Sequence, residues 1–373
     1  MAASRLRVAV LFGGRSGEHE VSLSSARSVI AALNPDKFEI IPIGITPAGR
    51  WFAEGNPLEA LASGESPDPE GLTLIPGDPT VKGLLTLAGT DHKSTTIPID
   101  VVFPVLHGPY GEDGTVQGLL ELAGLPYVGG GVTASAAGMD KAIMKACFAA
   151  AGLPLLPSRE YKRKRWEAER AEVLDEVEAA FDYPIFVKPT NLGSSVGISK
   201  AKDRPGLEQA IDVAAQYDRK LIIEQGIECR ELECSVLGND EPIASVVGEV
   251  ITTREFYDYE AKYFPGGCEL IIPAEIDEAV AETVRDYALT AFIAVDCAGL
   301  GRVDMLMERA TGKVYVNEIN TIPGFTATSA YPKLFEAAGI GYGELVDRLI
   351  ELALERHADK ARSKTTFRPG EDA

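Results

Sequence analysis

The chain has 373 residues, 45% hydrophobic and 25% charged, more than one compact domain of roughly 100–200 residues, and it predicts two or three. Lys and Arg total 36 against 56 Asp and Glu, a formal net charge of −20. That balance argues against nucleic acid or an anionic membrane surface as partner, because both demand a positive footprint. No apolar stretch reaches the ~20 residues that cross a bilayer. The five cysteines (Cys147, Cys229, Cys234, Cys268, Cys297) are scattered and odd in number, which suits a reducing compartment and predicts the cytoplasm.

In chain order, Val8–Phe12 reads as a buried strand, followed by a Gly-rich turn at 13–17 and a helix from Glu20 to Leu33. Further strands are predicted at Phe38–Ile45 and Val101–Leu106, and a helix at Gly114–Ala123. Strands alternating with helices predict a parallel sheet of the α/β class. Residues 49–96 are rich in Gly, Pro, Asp and Ser and predict an irregular surface insertion. A charged helix is predicted over Arg159–Phe181. Its basic run Lys162–Arg165 is followed at once by acids, which makes it a solvated face rather than a nucleic-acid patch.

From Pro184 the pattern turns to short strands at Ile185–Lys188, Val196–Lys200, Leu221–Gln225, Glu231–Leu237 and Ala244–Ile251, with a helix at Gly206–Gln216. This predicts an α+β unit on antiparallel sheet. A helix at Glu275–Ala294, strands at Gly301–Met307 and Lys313–Ile319, and a helix at Tyr342–His357 follow, before a polar tail predicted to be disordered. The expected units are 1–140, 141–235 and 236–357, with the tail at 358–373.

The sequence carries no Walker-type loop, no HExxH and no G-x-S-x-G. Gly129–Ala134 matches G-x-G-x-x-[GA], but no acidic ribose partner follows at the right distance, so a tight turn is the better reading. Three clusters hold more chemistry. In Lys188–Gly197 a lysine ends a strand and a Gly/Ser loop follows, a pattern whose N–H groups and hydroxyls wrap phosphate oxygens. In the second, Glu318 and Asn320 share one strand face, and a hairpin places Asp304 opposite Glu318, with Arg302 on the same face. Oxygen ligands without Cys or His suit Mg²⁺ held together with a nucleotide's phosphates. The third, Tyr257–Gly267, joins aromatics and Lys262 in a loop able to close over a ligand. Glu18 and His107 follow predicted strands, where ligands sit in open α/β sheets.

Taken together and in order, GGRSGEHEVS, LHGPYGEDG, GMDK, KPTNLGSSVG, FYDYEAKY, GRVD and VNEINTIPGFT resemble the D-alanine–D-alanine ligase family of the ATP-grasp superfamily. The resemblance runs from Val8 to about Leu354. It implies an ATP-grasp fold, with a Rossmann-like N-terminal parallel-sheet domain and two α+β subdomains sandwiching the nucleotide. It also implies ATP-dependent joining of two D-alanine molecules through an acyl phosphate, for peptidoglycan precursor synthesis.

By the same resemblance Lys141 and Lys188 hold ATP's phosphates, Ser194 and Ser195 lie in the phosphate loop, and Glu224 and Glu231 serve the adenine and ribose. Asp304, Glu318 and Asn320 correspond to ligands of Mg²⁺ (or Mn²⁺), and K⁺ is an expected activator. Glu18 corresponds to the acceptor of the first substrate's ammonium, with His107 in the same pocket. Arg302 and the Gly324 N–H correspond to the oxyanion hole, Ser329 to the group binding the second substrate's carboxylate, and Lys262 and Tyr263 to the closing loop. Tyr263, Ser194 and Glu18 form the expected proton-accepting network, since a lone tyrosine has too high a pKa for a good base.

The partners implied are D-alanine and ATP, with a homodimer as the expected assembly. The rivals are ligases that use D-lactate or D-serine as second substrate, and a non-catalytic ATP-binding protein. Tyr263 favours D-alanine over lactate in the resemblance, and the presence of Asp304, Glu318, Asn320 and Arg302 together argues for an enzyme.

Overall fold

The computed structural model of the chain describes residues 5–64, 72–88, 93–193, 196–252 and 268–365. The chain opens with β1 (Leu6–Gly13), α1 (His19–Ala32), β2 (Phe38–Ile45) and β3 (Trp51–Phe52). After α2 (Pro57–Ser63) come β4 (Leu72–Leu74), β5 (Gly83–Ala88), β6 (Lys93–Pro98) and β7 (Val101–Pro104). β2, β1 and β7 pair in parallel and β3 closes the β2 edge antiparallel. Val8 to Phe12 are all fully buried, which explains their unbroken apolar run. Val8, Val10 and Phe12 face one core layer and Ala9 and Leu11 another.

The irregular insertion expected over 49–96 is instead ordered in its described part. Asn56 caps α2 through the Glu59 N–H, and β4, β5 and β6 form a three-stranded antiparallel sheet. The many Gly and Pro residues punctuate strands too short to show a clear period in the sequence.

The next segment holds α3 (Thr115–Leu122), α4 (Val132–Met139) and α5 (Lys141–Ala150), then β8 (Ser158–Lys162), α6 (Arg163–Ala168) and α7 (Arg170–Glu178). The single helix predicted over 159–181 is therefore a strand and two short helices. Tyr161 is drawn into the core as β8 pairs with a later strand, and tertiary pairing overrides the local helical pattern. The basic run is neutralised as expected: Arg165 pairs with Glu169 and Glu176 on the surface.

β9 (Ile185–Pro189), β10 (Ser199–Ala201), α8 (Arg204–Tyr217) and β11 (Lys220–Gln225) complete a four-stranded antiparallel sheet of order β10-β9-β11-β8. Then come β12 (Cys229–Gly238), β13 (Ile243–Thr252), β14 (Cys268–Ile271), α9 (Glu278–Ala294), β15 (Gly299–Glu308) and β16 (Val314–Asn320). These strands build a five-stranded antiparallel sheet, β14-β13-β12-β15-β16, backed by α9. α10 (Ala330–Ala337) and α11 (Tyr342–Lys360) end the described chain, and α11 lays Leu345, Val346, Leu349 and Ile350 on the N-terminal sheet.

Candidate functional site

The turn after β1 reverses through Gly13 and Gly14 at φ +89° and +97°, values that favour glycine, and delivers Glu18 to the start of α1. Ser16 Oγ donates to the His107 carbonyl at 2.7 Å and accepts from the Glu18 N–H at 3.1 Å, locking this turn to the one after β7. Glu18 is buried, and its Oε2 lies against two glycines. A Cβ at Gly108 would fall 2.6 Å from that oxygen, and one at Gly193 would fall 3.2 Å from it. Gly193 belongs to the loop after β9, so the parallel sheet and the central antiparallel sheet meet at this carboxylate.

His107 is buried and fixed in one tautomer. Nδ1 faces the Ile322 carbonyl at 3.0 Å, which can only accept, so Nδ1 carries the proton. Nε2 then accepts from Ser25 Oγ at 3.1 Å, while Ser25 Oγ accepts from the Phe325 N–H at 3.3 Å. Burial lowers the His107 pKa against the raising effect of Glu18, and the neutral ring fits that network. The loop after β16 is thus held at both ends, at Ile322 and at Phe325. Between them the Gly324 N–H has no partner among the described residues. Ser329 Oγ accepts from the Thr326 N–H at 3.0 Å and would lie 3.2 Å from a Cβ at Gly324.

Four lysines are buried nearby: Lys141, Lys145, Lys188 and Lys220. Lys141 opens α5, donates to the Leu192 carbonyl at 2.9 Å and pairs with Glu318 at 3.5 Å. Lys188 on β9 and Lys145 on α5 both clasp Glu224 of β11, at 2.5 and 2.9 Å. Burial pushes the Glu224 carboxyl up, but the two ammonium groups outweigh it and hold the pKa at about 2. Lys188 is raised by Glu224 and Glu318 against the lowering effect of its own burial. Asp140 caps α5 through the Ala142 and Ile143 N–H groups and pairs with Lys220.

On the five-stranded sheet, Asp304 stands opposite Glu318 and Arg302 opposite Asn320. Arg302 grips Asp304 with two hydrogen bonds, at 2.6 and 2.7 Å, and approaches Glu233 of β12 at 3.3 Å. Asn320 Nδ2 donates to Asp304 at 2.9 Å. Glu231 lies two residues before Glu233, on the same face of β12, and its charge helps to raise Lys188. A small cavity between the sheets is lined by Glu112, Lys141, Gly193, Glu318 and Asn320. The arrangement offers a cationic cradle beside paired carboxylates at the junction of three sheets, a geometry suited to handling a polyphosphate next to a small zwitterion.

Two family models match, described as "D-ala D-ala ligase N-terminus" over residues 7–130 and "D-ala D-ala ligase C-terminus" over 147–351. The chain belongs to the D-alanine–D-alanine ligase family.

A D-alanine–D-alanine ligase from Heliobacterium modesticaldum is 54% identical over 97% of this chain and 98% of its own length. One from Chloroherpeton thalassium is 51% identical over 97% of this chain and all of its own. Among solved structures, the VanG D-Ala:D-Ser ligase from Enterococcus faecalis aligns with a TM-score of 0.83 at 38% identity, over 94% of this chain and 100% of that one. The D-alanine–D-alanine ligase from Coxiella burnetii aligns at 0.80 and 35% identity, over 96% of this chain and 97% of that one. The fold is the ATP-grasp fold, and the chain is an ATP-dependent, ADP-forming ligase with ATP as co-substrate.

Members of this ligase family typically use a divalent cation. The donor set fits a hard one: two opposed carboxylates and an amide, oxygen ligands without sulfur or imidazole. Most residues expected from the sequence do converge. Glu18 and His107 share the first cradle, and Lys141, Lys188, Glu224, Glu231, Arg302, Asp304, Glu318 and Asn320 the second, while Gly324 and Ser329 adjoin. Ser194, Ser195, Lys262 and Tyr263 lie outside the described residues, as does the tail from 366. Sequence reasoning missed Lys145 and Glu233, and it placed Glu112 and Asn317 within its motifs without giving either a role. Lys145 had a signal, being one helical turn after Lys141; the Asn317 Oδ1 faces Lys188 Nζ at 3.5 Å.

Proposed function

We infer that this chain joins two D-alanine molecules into D-alanyl-D-alanine with consumption of ATP. The observation that carries the reading is the pairing of a buried carboxylate cradle at Glu18 with the lysine cluster at Lys141 and Lys188, in a chain about half identical to D-alanine–D-alanine ligases over nearly its whole length. Glu18 receives the ammonium of the first D-alanine, with the neutral His107 behind it. The carboxylate of that substrate attacks the γ-phosphorus, the bond to the β–γ bridging oxygen breaks, and ADP leaves while Lys141 and Lys188 balance the phosphate charge.

The amine of the second D-alanine then attacks the acyl carbon. Arg302 and the Gly324 N–H stabilise the tetrahedral oxyanion, and inorganic phosphate leaves as it collapses. Removing one such donor typically lowers turnover by roughly 10²–10³. Ser329 binds the second carboxylate. Asp304, Glu318 and Asn320 would hold Mg²⁺ or Mn²⁺, which would supply charge neutralisation at the phosphates. The remaining assignments belong to the same reading: Ser194 and Ser195 at the phosphates, Glu224 and Glu231 toward the nucleoside, Lys262 and Tyr263 in the closing loop, and a proton-accepting network of Tyr263, Ser194 and Glu18.

The dipeptide serves peptidoglycan precursor synthesis in the cytoplasm, a setting that the unpaired Cys147, Cys229, Cys234 and Cys297 support. Three units, 1–140, 141–235 and 236–357, belong to the same reading, although the second boundary falls inside β12 of the five-stranded sheet. K⁺ activation and a homodimer complete the proposal; light scattering should give twice the chain's mass.

The test is phosphate release from ATP and Mg²⁺ by the purified protein. Release is expected only when D-alanine is added, with the dipeptide as product. The likeness to a D-Ala:D-Ser ligase structure makes competition the second arm. With D-alanine, D-serine and D-lactate mixed at neutral pH, the dipeptide of D-alanine should dominate. A mixed product in excess, or ATP binding without D-alanine-dependent release, would overturn the reading.

A further inference from the structure

Glu112 takes no part in the reaction as set out above, yet it lies at the junction of the segments that do. Its Oε1 accepts from the Gly108 N–H at 2.8 Å, and the backbone N–H of Ile322 faces the same carboxyl and acts to lower its pKa. Gly108 is the residue against which Glu18 packs, and Ile322 begins the loop that carries Gly324. A Cβ at Gly193 would lie 3.8 Å from Glu112 Oε1 and 3.2 Å from Glu18 Oε2, so the two carboxylates flank the same glycine.

We propose that Glu112 is a positioning residue of the ligation: held by the Gly108 N–H and standing against the start of the loop after β16, it sets the first substrate's cradle and the oxyanion loop at a fixed distance from each other. The geometry of Ile322 supports this. His107 holds its carbonyl, its N–H faces the Glu112 carboxyl, and Ser25 holds the N–H of Phe325 beyond it. With those groups pinned, the orientation of the intervening Gly324 N–H is decided, and that N–H has no partner among the described residues.

The charged groups facing Glu112 are Glu18 from α1 and Lys141 from α5, with His107 adjoining in sequence and space. Desolvation first, then the Glu18 charge, raises its pKa to about 8. A carboxyl kept in so costly a place is more often functional than incidental. A helix surface offers cheaper ways to pin a loop.

The inference rests on the ligase reading. Steady-state kinetics of the full-length protein, of Glu112→Ala and of Glu112→Gln test it, with binding of a phosphinate mimic of the tetrahedral intermediate measured beside them. A misplacement of about 1 Å costs roughly 10²-fold in rate, so Glu112→Ala should lose about that factor in kcat. The KM for ATP should hold within about twofold, and affinity for the phosphinate should fall by a factor similar to kcat. Glu112→Gln keeps one acceptor and should recover part of both.

A merely structural Glu112 would lower the melting temperature and leave the kcat of the folded variant and the phosphinate affinity unchanged. That outcome, or a loss confined to the KM for ATP, overturns the inference alone. A wild type without D-alanine-dependent phosphate release overturns the ligase reading and this inference with it.

Discussion

At the scale of single residues, the site is shaped as much by absent side chains as by present ones. Gly108 has φ +75°, and the oxygen of Glu18 occupies the space a Cβ would need, 2.6 Å away. Gly108→Ala therefore strains the backbone and displaces the carboxylate that receives the first ammonium. The expected result is a rise of roughly tenfold or more in the KM for D-alanine at the first site, in line with about 1.4 kcal/mol per factor of ten, while the KM for ATP stays close to wild type. Initial-rate measurements at varied D-alanine decide it, and an unchanged D-alanine KM would place Glu18 elsewhere in the reaction. The Gly-x-x motifs were visible in the sequence, but this demand was not. Nothing in a linear pattern says that a carboxylate from residue 18 fills the space beside residue 108.

At the scale of elements, the β15–β16 hairpin shows where alternation misleads. Val314 and Val316 point into the core, and strict period-two counting would send Glu318 and Asn320 after them. The ladder slips instead: Met305 pairs with Val316 and Asp304 with Glu318, leaving Asn317 as an extra residue. The bulge re-aims the strand, so Ile319 takes the core side and Glu318 and Asn320 face Asp304. The sequence did show that Glu318 and Asn320 share a face, but the bulge that chooses which face depends on packing. Likewise the acidic helix read over 159–181 lost its first turn to sheet pairing, whereas β1, α1, α8 and α9 lay close to where their periodicity put them.

The start of α5 yields an element-scale prediction. Asp140 both caps the helix and pairs with the buried Lys220, so its two roles separate by substitution. Asp140→Ala removes the cap, worth about 1 kcal/mol, and leaves a buried ammonium unpaired, a loss of roughly 3–5 kcal/mol. Asp140→Asn keeps a capping oxygen and should be the more stable of the two by about 1 kcal/mol. Denaturant unfolding of both variants measures the difference; equal stabilities would mean that the cap contributes nothing.

At the scale of the molecule, the charge of −20 and the anionic co-substrate are at odds. The described structure resolves this by distance. Lys141, Lys145 and Lys188 are buried together between the sheets, while the acidic excess is spread over the solvated exterior. The lysines act at contact and the exterior acts from afar, so salt should affect the two differently. Raising ionic strength from 0.01 to 0.15 M shortens the Debye length from about 30 to about 8 Å. Screening should then speed the association of Mg-ATP, opposite to the slowing seen for attractive steering. Stopped-flow binding over that range tests this, and association that slows with salt would show that the cationic cradle reaches beyond the protein surface.

The last described helix has a consequence for the order in which the molecule is made. The layer beneath Val8, Val10, Val101 and Phe103 is completed by Leu345, Val346, Leu349 and Ile350 of α11, and Lys37 reaches Asp347 at 2.6 Å. A strand made among the first residues thus waits for partners made among the last. During synthesis the N-terminal sheet, complete at Pro104, emerges from the ribosome with this apolar face covered only in part, by α1, and stays so until more than two hundred further residues have followed. Contacts so distant in sequence close slowly, and the exposed face is the kind that chaperones hold. The central antiparallel sheet draws its own core from residues 161–223 and carries no such debt. The middle of the chain is therefore the part equipped to fold first, with the N-terminal substrate cradle sealed last.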